Sequence, residues 1–473
     1  MFGNHVVILN SVKAATELLE KRAIIYSDRL KIPMISLMGW DFTFAVMPYT
    51  DKWREHIRRL FHQCFRKNAI AAYNHLQIRK IEDLLHGLLS TPQQFGAHIE
   101  ILATAITMEM VYGYDKPLPD RLVYLPQEAV RRFSESVLPG AFAVNTFPFL
   151  RHVPAWFPGA GFHTFARDTR RLLNEMKDEP FQYVKQNMQS ASDRQSVLRD
   201  LLERNDRHRG SKEQEQIEQI IKDIAAVAYS AAVETTTTTL IVFIMAMALN
   251  PEVVQKAQNE LDTVVGQGGL PGFEHRIVLP YCEAVFREVF RWRPIAPLAM
   301  AHATSEDDVY EGYYIPKGWS QSTLSSFRIL ILAQEPWFSQ ISGAHKCILR
   351  RRGTETLRAM VHDETKYPNP DEFNPERFLN VDGQLNVDDQ VLGFGFGRRA
   401  CAGRHIADEI VWATIVCVLS TFNIAKAKDE GGNEIEIEPI FTDGLVSHPK
   451  PFKCTITPRN DATRQLIAST TDM

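Results

Sequence analysis

Residues 394–403 read FGFGRRACAG, and from Arg404 the chain runs into an apolar helical stretch, Ile406 to about Ala425. A cysteine in a glycine-rich turn just ahead of a helix has chemical consequences. Gly395, Gly397 and Gly403 let the backbone turn sharply and approach a flat ligand without Cβ clashes. Cys401 then lies at a helix N-terminus, where backbone N–H groups and the helix dipole favour a thiolate. Arg399 beside it offers a fork that meets a carboxylate bidentately. A lone cysteine is more commonly a buried structural residue. Here five positions are set together in the pattern F-x-x-G-x-R-x-C-x-G, by Phe394, Gly397, Arg399, Cys401 and Gly403. At ordinary residue frequencies its chance occurrence in a chain of this length is on the order of 1 in 10,000.

The rest of the composition sets the frame for that turn. The chain has 473 residues, 45% hydrophobic and 23% charged, ordinary values for a compact body large enough to bury a cofactor. A formal charge of −4 gives no bulk attraction for nucleic acid, which is not expected as a partner. The six cysteines, at 64, 282, 347, 401, 417 and 454, include no C-x-x-C pair, so neither a zinc site nor a disulfide framework is indicated. The opening MFGNHVVILNSVKAATELLEKR reads as a strand and an amphipathic helix, without the pattern of a signal peptide. Ile224 to Leu249 is long enough to cross a bilayer, but Glu234 and five consecutive threonines at its centre favour a buried core helix. Helical patterns dominate, β-type runs such as HVVILN are short, and no repeat or long linker appears. One mainly α (α+β) domain spanning 1–473 is expected.

The cysteine pattern resembles that of the cytochrome P-450 family, in particular its fungal microsomal-type branch of O-methylsterigmatocystin oxidoreductase-like enzymes. Further marks of the family stand upstream in the same order. Glu288-Val289-Phe290-Arg291 resembles its E-x-x-R element, with Glu288 and Arg291 one helical turn apart. Pro375-Glu376-Arg377-Phe378 resembles the element whose arginine, here Arg377, joins that pair in a buried network. Ala231-Ala232-Val233-Glu234-Thr235-Thr236 takes the place of the oxygen-binding helix, with Ala232 where glycine is usual. An acid followed by an alcohol in an apolar helix suits a proton relay, and a threonine can also bond the carbonyl four residues back and loosen the helix. Glu234 and Thr235 are the candidate catalytic residues. His302 resembles a propionate-contacting position, and the preceding Pro294-Ile295-Ala296-Pro297-Leu298 loop would line a hydrophobic substrate site.

The resemblance implies a haem-thiolate monooxygenase that inserts one oxygen atom of O2 into a hydrophobic small molecule, in secondary metabolism or detoxification. Haem b would be held by the Cys401 thiolate, which on iron favours O–O cleavage. Phe394, Arg399, Gly397, Gly403, His302, Trp53 and Arg58 would line or bind the haem. Electrons would come from NADPH only through NADPH-cytochrome P-450 reductase, since no G-x-G-x-x-G fingerprint occurs. Arg398, Arg404 and His405 are candidates for its docking patch. The competing readings are a haem-thiolate isomerase or dehydratase, and a non-catalytic haem-binding relic.

Three departures qualify the resemblance. Trp53 and Arg58 are separated by one residue more than the family spacing, and an extra helical residue rotates every later position by about 100°, so the two are not expected to face the same side. Between GYYIPKG at 312–318 and the family-like RAMVHDETKYPNPDEF, the stretch 319–357 shows no clear period and carries Arg350-Arg351-Arg352. So long a structureless loop inside a compact domain is uncommon, and 319–357 is expected to be an aberrant insertion, from retained non-coding sequence or a wrong junction. Finally, the resemblance implies the cytosolic face of the endoplasmic reticulum membrane, but the opening shows neither apolar anchor nor proline-rich hinge, so a soluble or peripheral chain is expected.

Overall fold

The computed structural model of the chain describes residues 5–54, 61–138, 140–188, 195–206, 211–266, 269–318, 320–321, 328–332, 356–388 and 391–469. Among these the longer helices are α1 (Asn74–Ser90), α2 (Phe95–Tyr112), α3 (Asp120–Val137), α4 (Gly161–Asn187), α5 (Lys212–Leu249), α6 (Pro251–Val264), α7 (Pro280–Trp292) and α8 (Arg404–Thr421). The expected mainly helical architecture is the observed one.

The central element is α5. Ser211 caps it by accepting from the Gln214 N–H at 3.2 Å, Glu213 and Glu215 in its first turn complement the dipole, and Pro251 opens the next helix. Its apolar half packs against α2, α3 and α8, so residues from Ile221 to Ala248 are buried almost all round. A helix apolar on every side belongs either in a bilayer or in a core. The 37-residue stretch Glu213–Leu249 is long and apolar enough to cross a membrane, and 72% of its most apolar window is buried against the rest of this chain. The Ile224 to Leu249 run is thus a core helix.

Short strands flank the helical body. β1 (His5–Leu9), β2 (His302–Ala303), β5 (Ser320–Gln321) and β6 (Arg328–Leu332) form one sheet in the order β2-β5-β1-β6. β1 runs parallel to β6 from His5 opposite Arg328 to Leu9 opposite Leu332. Part of 319–357 is therefore strand in that sheet and not structureless. β3 (Asp308–Tyr310) and β4 (Tyr313–Ile315) make a hairpin whose two turn residues, Glu311 and Gly312, both have positive φ, as a two-residue turn between twisted strands requires. β7 (Phe422–Lys426) follows α8 directly and pairs antiparallel with β8 (Cys454–Pro458).

Candidate active site around Cys401

A cavity of about 450 Å³ lies between α5, the loop after α7, the Cys401 turn and the 442–448 turn, within the size range of small-molecule and cofactor sites. Cys401, Thr235, Glu234, His302, Arg399 and Leu298 are among the residues that line it.

The Cys401 turn is built as its sequence suggests, though not every glycine serves the purpose expected of it. A 3-10 turn, Gly397–Arg399, delivers the cysteine, and the Cys401 N–H donates to the Phe394 carbonyl at 2.7 Å. Gly395, at φ +74° and ψ −168°, occupies a region open essentially to glycine alone. Gly397 has φ +58°, and a Cβ there would stand 2.0 Å from the Leu19 carbonyl oxygen. Its glycine is demanded by a neighbouring chain segment and not by a ligand. Gly403 has an ordinary φ of −88°, so it is not needed for the turn; a Cβ there would lie 4.0 Å from the Cys401 sulfur. Phe394 packs on Phe290 of α7, with ring centroids 5.2 Å apart. Cys401 is open to the cavity, and desolvation by the protein around it pushes its thiol above the ordinary range, opposed by the Gly403 N–H and the Arg404 charge. A metal ion takes the thiolate and reverses such a shift.

A cationic wall adjoins the cysteine. Arg399 donates to the carbonyls of Ser27, Phe44 and Met47, each at 2.8 Å. Arg29, which sequence reasoning missed, also lines the cavity and donates to the carbonyls of Ala45, Met300 and Ala301 at 2.8, 2.9 and 2.6 Å. Burial, with the Arg399 charge, pulls the Arg29 guanidinium down to about 9, and burial brings Arg399 down to about 10. His302 shares this wall, its Nδ1 2.8 Å from the Tyr26 carbonyl, and burial and the two arginines hold it well below the usual histidine range. The two arginines therefore stand where a carboxylate would lower the electrostatic cost of burial, with a neutral His302 beside them. A flat cofactor carrying carboxylates and a thiolate-seeking metal fits this donor set, as haem does.

Trp53 is buried at the same place but does not offer the expected donor. Its indole N–H is committed to the Phe44 carbonyl at 3.0 Å, and its ring face meets the Arg399 guanidinium at 4.3 Å. Arg58 lies outside the described residues. Arg398 bonds the Tyr49 hydroxyl, and exposed Arg404 reaches His405 at 3.4 Å.

On α5, Thr235 donates to the Ala231 carbonyl at 2.7 Å, the backward bond expected of it. Glu234 accepts at Oε1 from His448, 2.8 Å away, while its Oε2 is buried without a hydrogen-bond partner among the described residues. His448 was also missed, although it stands in the terminal GLVSHPKPFKC stretch.

The expected ion network is present. Arg291 holds both oxygens of Glu288 at 2.6 and 2.8 Å, and Arg377 reaches Glu288 at 3.2 Å. Glu288 is fully buried, and the Asn374 N–H at 2.8 Å supplies a further donor. Arg291 also donates to the carbonyls of Val361 at 2.9 Å and Pro370 at 2.9 Å, fastening α7 to the segments that precede the cysteine turn.

Helical body, cysteine turn, cationic wall and buried Glu-Arg-Arg network fit the class of haem-thiolate proteins. The comparisons with known proteins agree. The family model described as Cytochrome P450 matches residues 1–323 and 356–456. The chain is 36% identical over 471 residues to cytochrome P450 monooxygenase claR of Ampulloclitocybe clavipes, covering 99% of this chain and 80% of that protein. It is 35% identical over 477 residues to cytochrome P450 monooxygenase COX2 of Coprinopsis cinerea, covering 100% and 84%, and 34% identical over 472 residues to tryptamine 4-monooxygenase of Psilocybe cyanescens, covering 99% and 85%. The chain belongs to the cytochrome P450 family. Its function is that of a monooxygenase, an oxidoreductase; the isomerase, dehydratase and relic readings gain no support. The family implies a haem cofactor, a redox partner and a small-molecule substrate.

Proposed function

We propose that the chain holds haem b through the Cys401 thiolate and oxidises a hydrophobic small molecule of secondary metabolism. The observation that carries this is one cavity lined by a cysteine sulfur, a wall of carboxylate-seeking cations and the Glu234-Thr235 pair. When bound, haem would supply the redox chemistry that activates O2. The chain's own residues do the rest. Arg29, Arg399 and His302 would receive the propionates, and Phe394 and Gly403 would shape the sulfur's surroundings. Ile295 and Leu298, in the loop after α7, give the cavity an apolar wall that excludes water and selects an apolar substrate. Thr235, donating its own proton to the Ala231 carbonyl, presents lone pairs that can accept a hydrogen bond and so position a proton carrier in the cavity, while Glu234 supplies the proton.

Electrons would come from NADPH through NADPH-cytochrome P-450 reductase. His405 feels the positive fields of Arg404 and Lys67, and this patch next to the cysteine turn would attract an acidic partner. For location we propose the cytosolic surface of the endoplasmic reticulum, supported by the exposed aromatic side chains Phe149, Trp156 and Phe157. We further propose that 324–355, which the family model leaves unmatched, is an insertion into the domain. The decisive test of the haem assignment is the carbon monoxide spectrum of the reduced protein. A strongly red-shifted Soret band, lost in Cys401→Ala, is expected; its absence from the wild type overturns thiolate ligation.

A further inference from the structure

Among the described residues, one imidazole links Glu234 toward the outside of the molecule. His448 Nε2 lies 2.8 Å from Glu234 Oε1, and His448 Nδ1 lies 2.9 Å from the Thr238 hydroxyl, one turn along α5. The Glu234 side chain is 10% exposed and that of His448 38%, so the ring spans from a buried acid toward solvent.

The ring is not needed to hold its own turn. Backbone and Thr442 do that: the Thr442 N–H donates to the His448 carbonyl at 2.8 Å, and the His448 N–H donates to Thr442 Oγ1 at 3.0 Å. The Ser447 N–H also donates to the Ile295 carbonyl at 2.8 Å, tying the turn to the loop after α7.

Thr238 makes the arrangement tolerant of a change in charge. Its oxygen lies 2.8 Å from the Glu234 carbonyl as well as 2.9 Å from His448 Nδ1. When the ring is neutral with its proton on Nε2, the Thr238 hydroxyl donates to Nδ1. When the ring is charged, Nδ1–H donates to Thr238, whose hydroxyl turns to the Glu234 carbonyl. In both states Nε2–H donates to Glu234 Oε1 and both ring nitrogens stay paired. A group built only to brace a carboxylate needs one such state; a group that passes protons needs both.

We infer that His448 is the positioning residue through which Glu234 is reprotonated from solvent, so that His448, Glu234 and Thr235 form a proton path into the cavity. Each passage balances: His448 protonated at Nε2 takes a second proton at Nδ1 from the solvent side, the charged ring gives its Nε2 proton to Glu234 Oε1, Glu234 releases one proton into the cavity, and the ring, left for the moment with its proton on Nδ1, returns to the Nε2 form by exchange with solvent. The unpartnered Glu234 Oε2 leaves the acid a second oxygen for the inward transfer. The inference rests on the monooxygenase reading and deepens it.

Two measurements test it. In the full-length haem-loaded protein, ring 15N NMR should show Nε2 of His448 protonated in both the neutral and the charged form, the resonance being identified by its loss in His448→Gln. A ring that rests in the neutral form with its proton on Nδ1 overturns the inference, since the resting ring must present Nε2–H to Glu234. Reductase-driven oxygen consumption with NADPH, which takes up two protons for each peroxide formed even without an organic substrate, gives the second. His448→Gln keeps a donor to Glu234 but cannot relay a proton, so its rate should fall about tenfold or more, with a larger solvent isotope effect than the wild type. An unchanged rate and isotope effect in a variant that retains the red-shifted carbon monoxide band overturns the role of His448 alone, whereas loss of that band from the wild type would overturn the haem-thiolate reading.

Discussion

Single residues around Cys401 separate chemistry from scaffolding. Gly397 is scaffold: alanine there would meet the Leu19 carbonyl oxygen at 2.0 Å with φ at +58°, so Gly397→Ala should destabilise the protein by at least about 2 kcal/mol in denaturant titration. Gly403, with an ordinary φ, should tolerate alanine in the same experiment while the spectrum of bound haem shifts. Thr235→Ala removes the cavity-lining hydroxyl and its single bond back to the Ala231 carbonyl, so it should keep the carbon monoxide band and raise the peroxide released per NADPH consumed; full coupling would remove Thr235 from the proton path. Cys401, Glu234 and Thr235 were legible in the sequence because each sits in a contiguous pattern. Arg29 and His448 were not, because their roles arise from contacts 271 and 214 residues away along the chain. Trp53 was legible as a cavity residue, but only the fold shows that Phe44 takes its N–H.

At the level of elements, the Glu288-Arg291-Arg377 network is what joins α7 to the loops leading to the cysteine turn. Arg291→Ala would leave the fully buried Glu288 carboxylate with Arg377 and one backbone donor, at a cost of about 3–5 kcal/mol, read as a lowered unfolding midpoint. Beside it, Arg293 lies 3.2 Å from His362 Nε2, and burial and three arginines hold His362 down to about 4, from an ordinary 6.5. The unfolded chain therefore binds the proton first. Stability should be fully present above about pH 6.5 and be lost as pH falls toward 4, and His362→Gln should flatten that part of a pH–stability curve. The network could be foreseen because E-x-x-R is periodic on a helix, whereas His362 becomes neutral only through its neighbours. The stretch 319–357 shows the opposite limit: it has no period to read, yet Arg328–Leu332 pairs with β1 through backbone groups that are blind to pattern. The insertion proposal expects a transcript lacking the codons for 324–355; a spliced message that keeps them all would make β6 a native strand.

For the whole molecule, the proposed membrane location has to be met without the longest of the described helices, which is spent on the fold's own core. Helix α5 cannot face lipid, since 72% of its most apolar window is covered by the rest of the fold. The connection between α3 and α4 instead leaves Phe149, Trp156 and Phe157 exposed by 67%, 81% and 52%. Three large aromatic rings in one short connection are costly in water, and tryptophan in particular settles at the bilayer interface. A hydrophobic substrate partitions into the same layer, so contact there would bring the cavity to its substrate supply. The protein should therefore co-sediment with phosphatidylcholine vesicles. Replacing Phe149, Trp156 and Phe157 together by serine should weaken that partition about tenfold or more, since the loss of even one buried aromatic contact is worth about 1.5 kcal/mol. The carbon monoxide band should be unaffected, because none of the three lines the cavity. Unchanged partition with an intact band would place the membrane contact elsewhere on the surface.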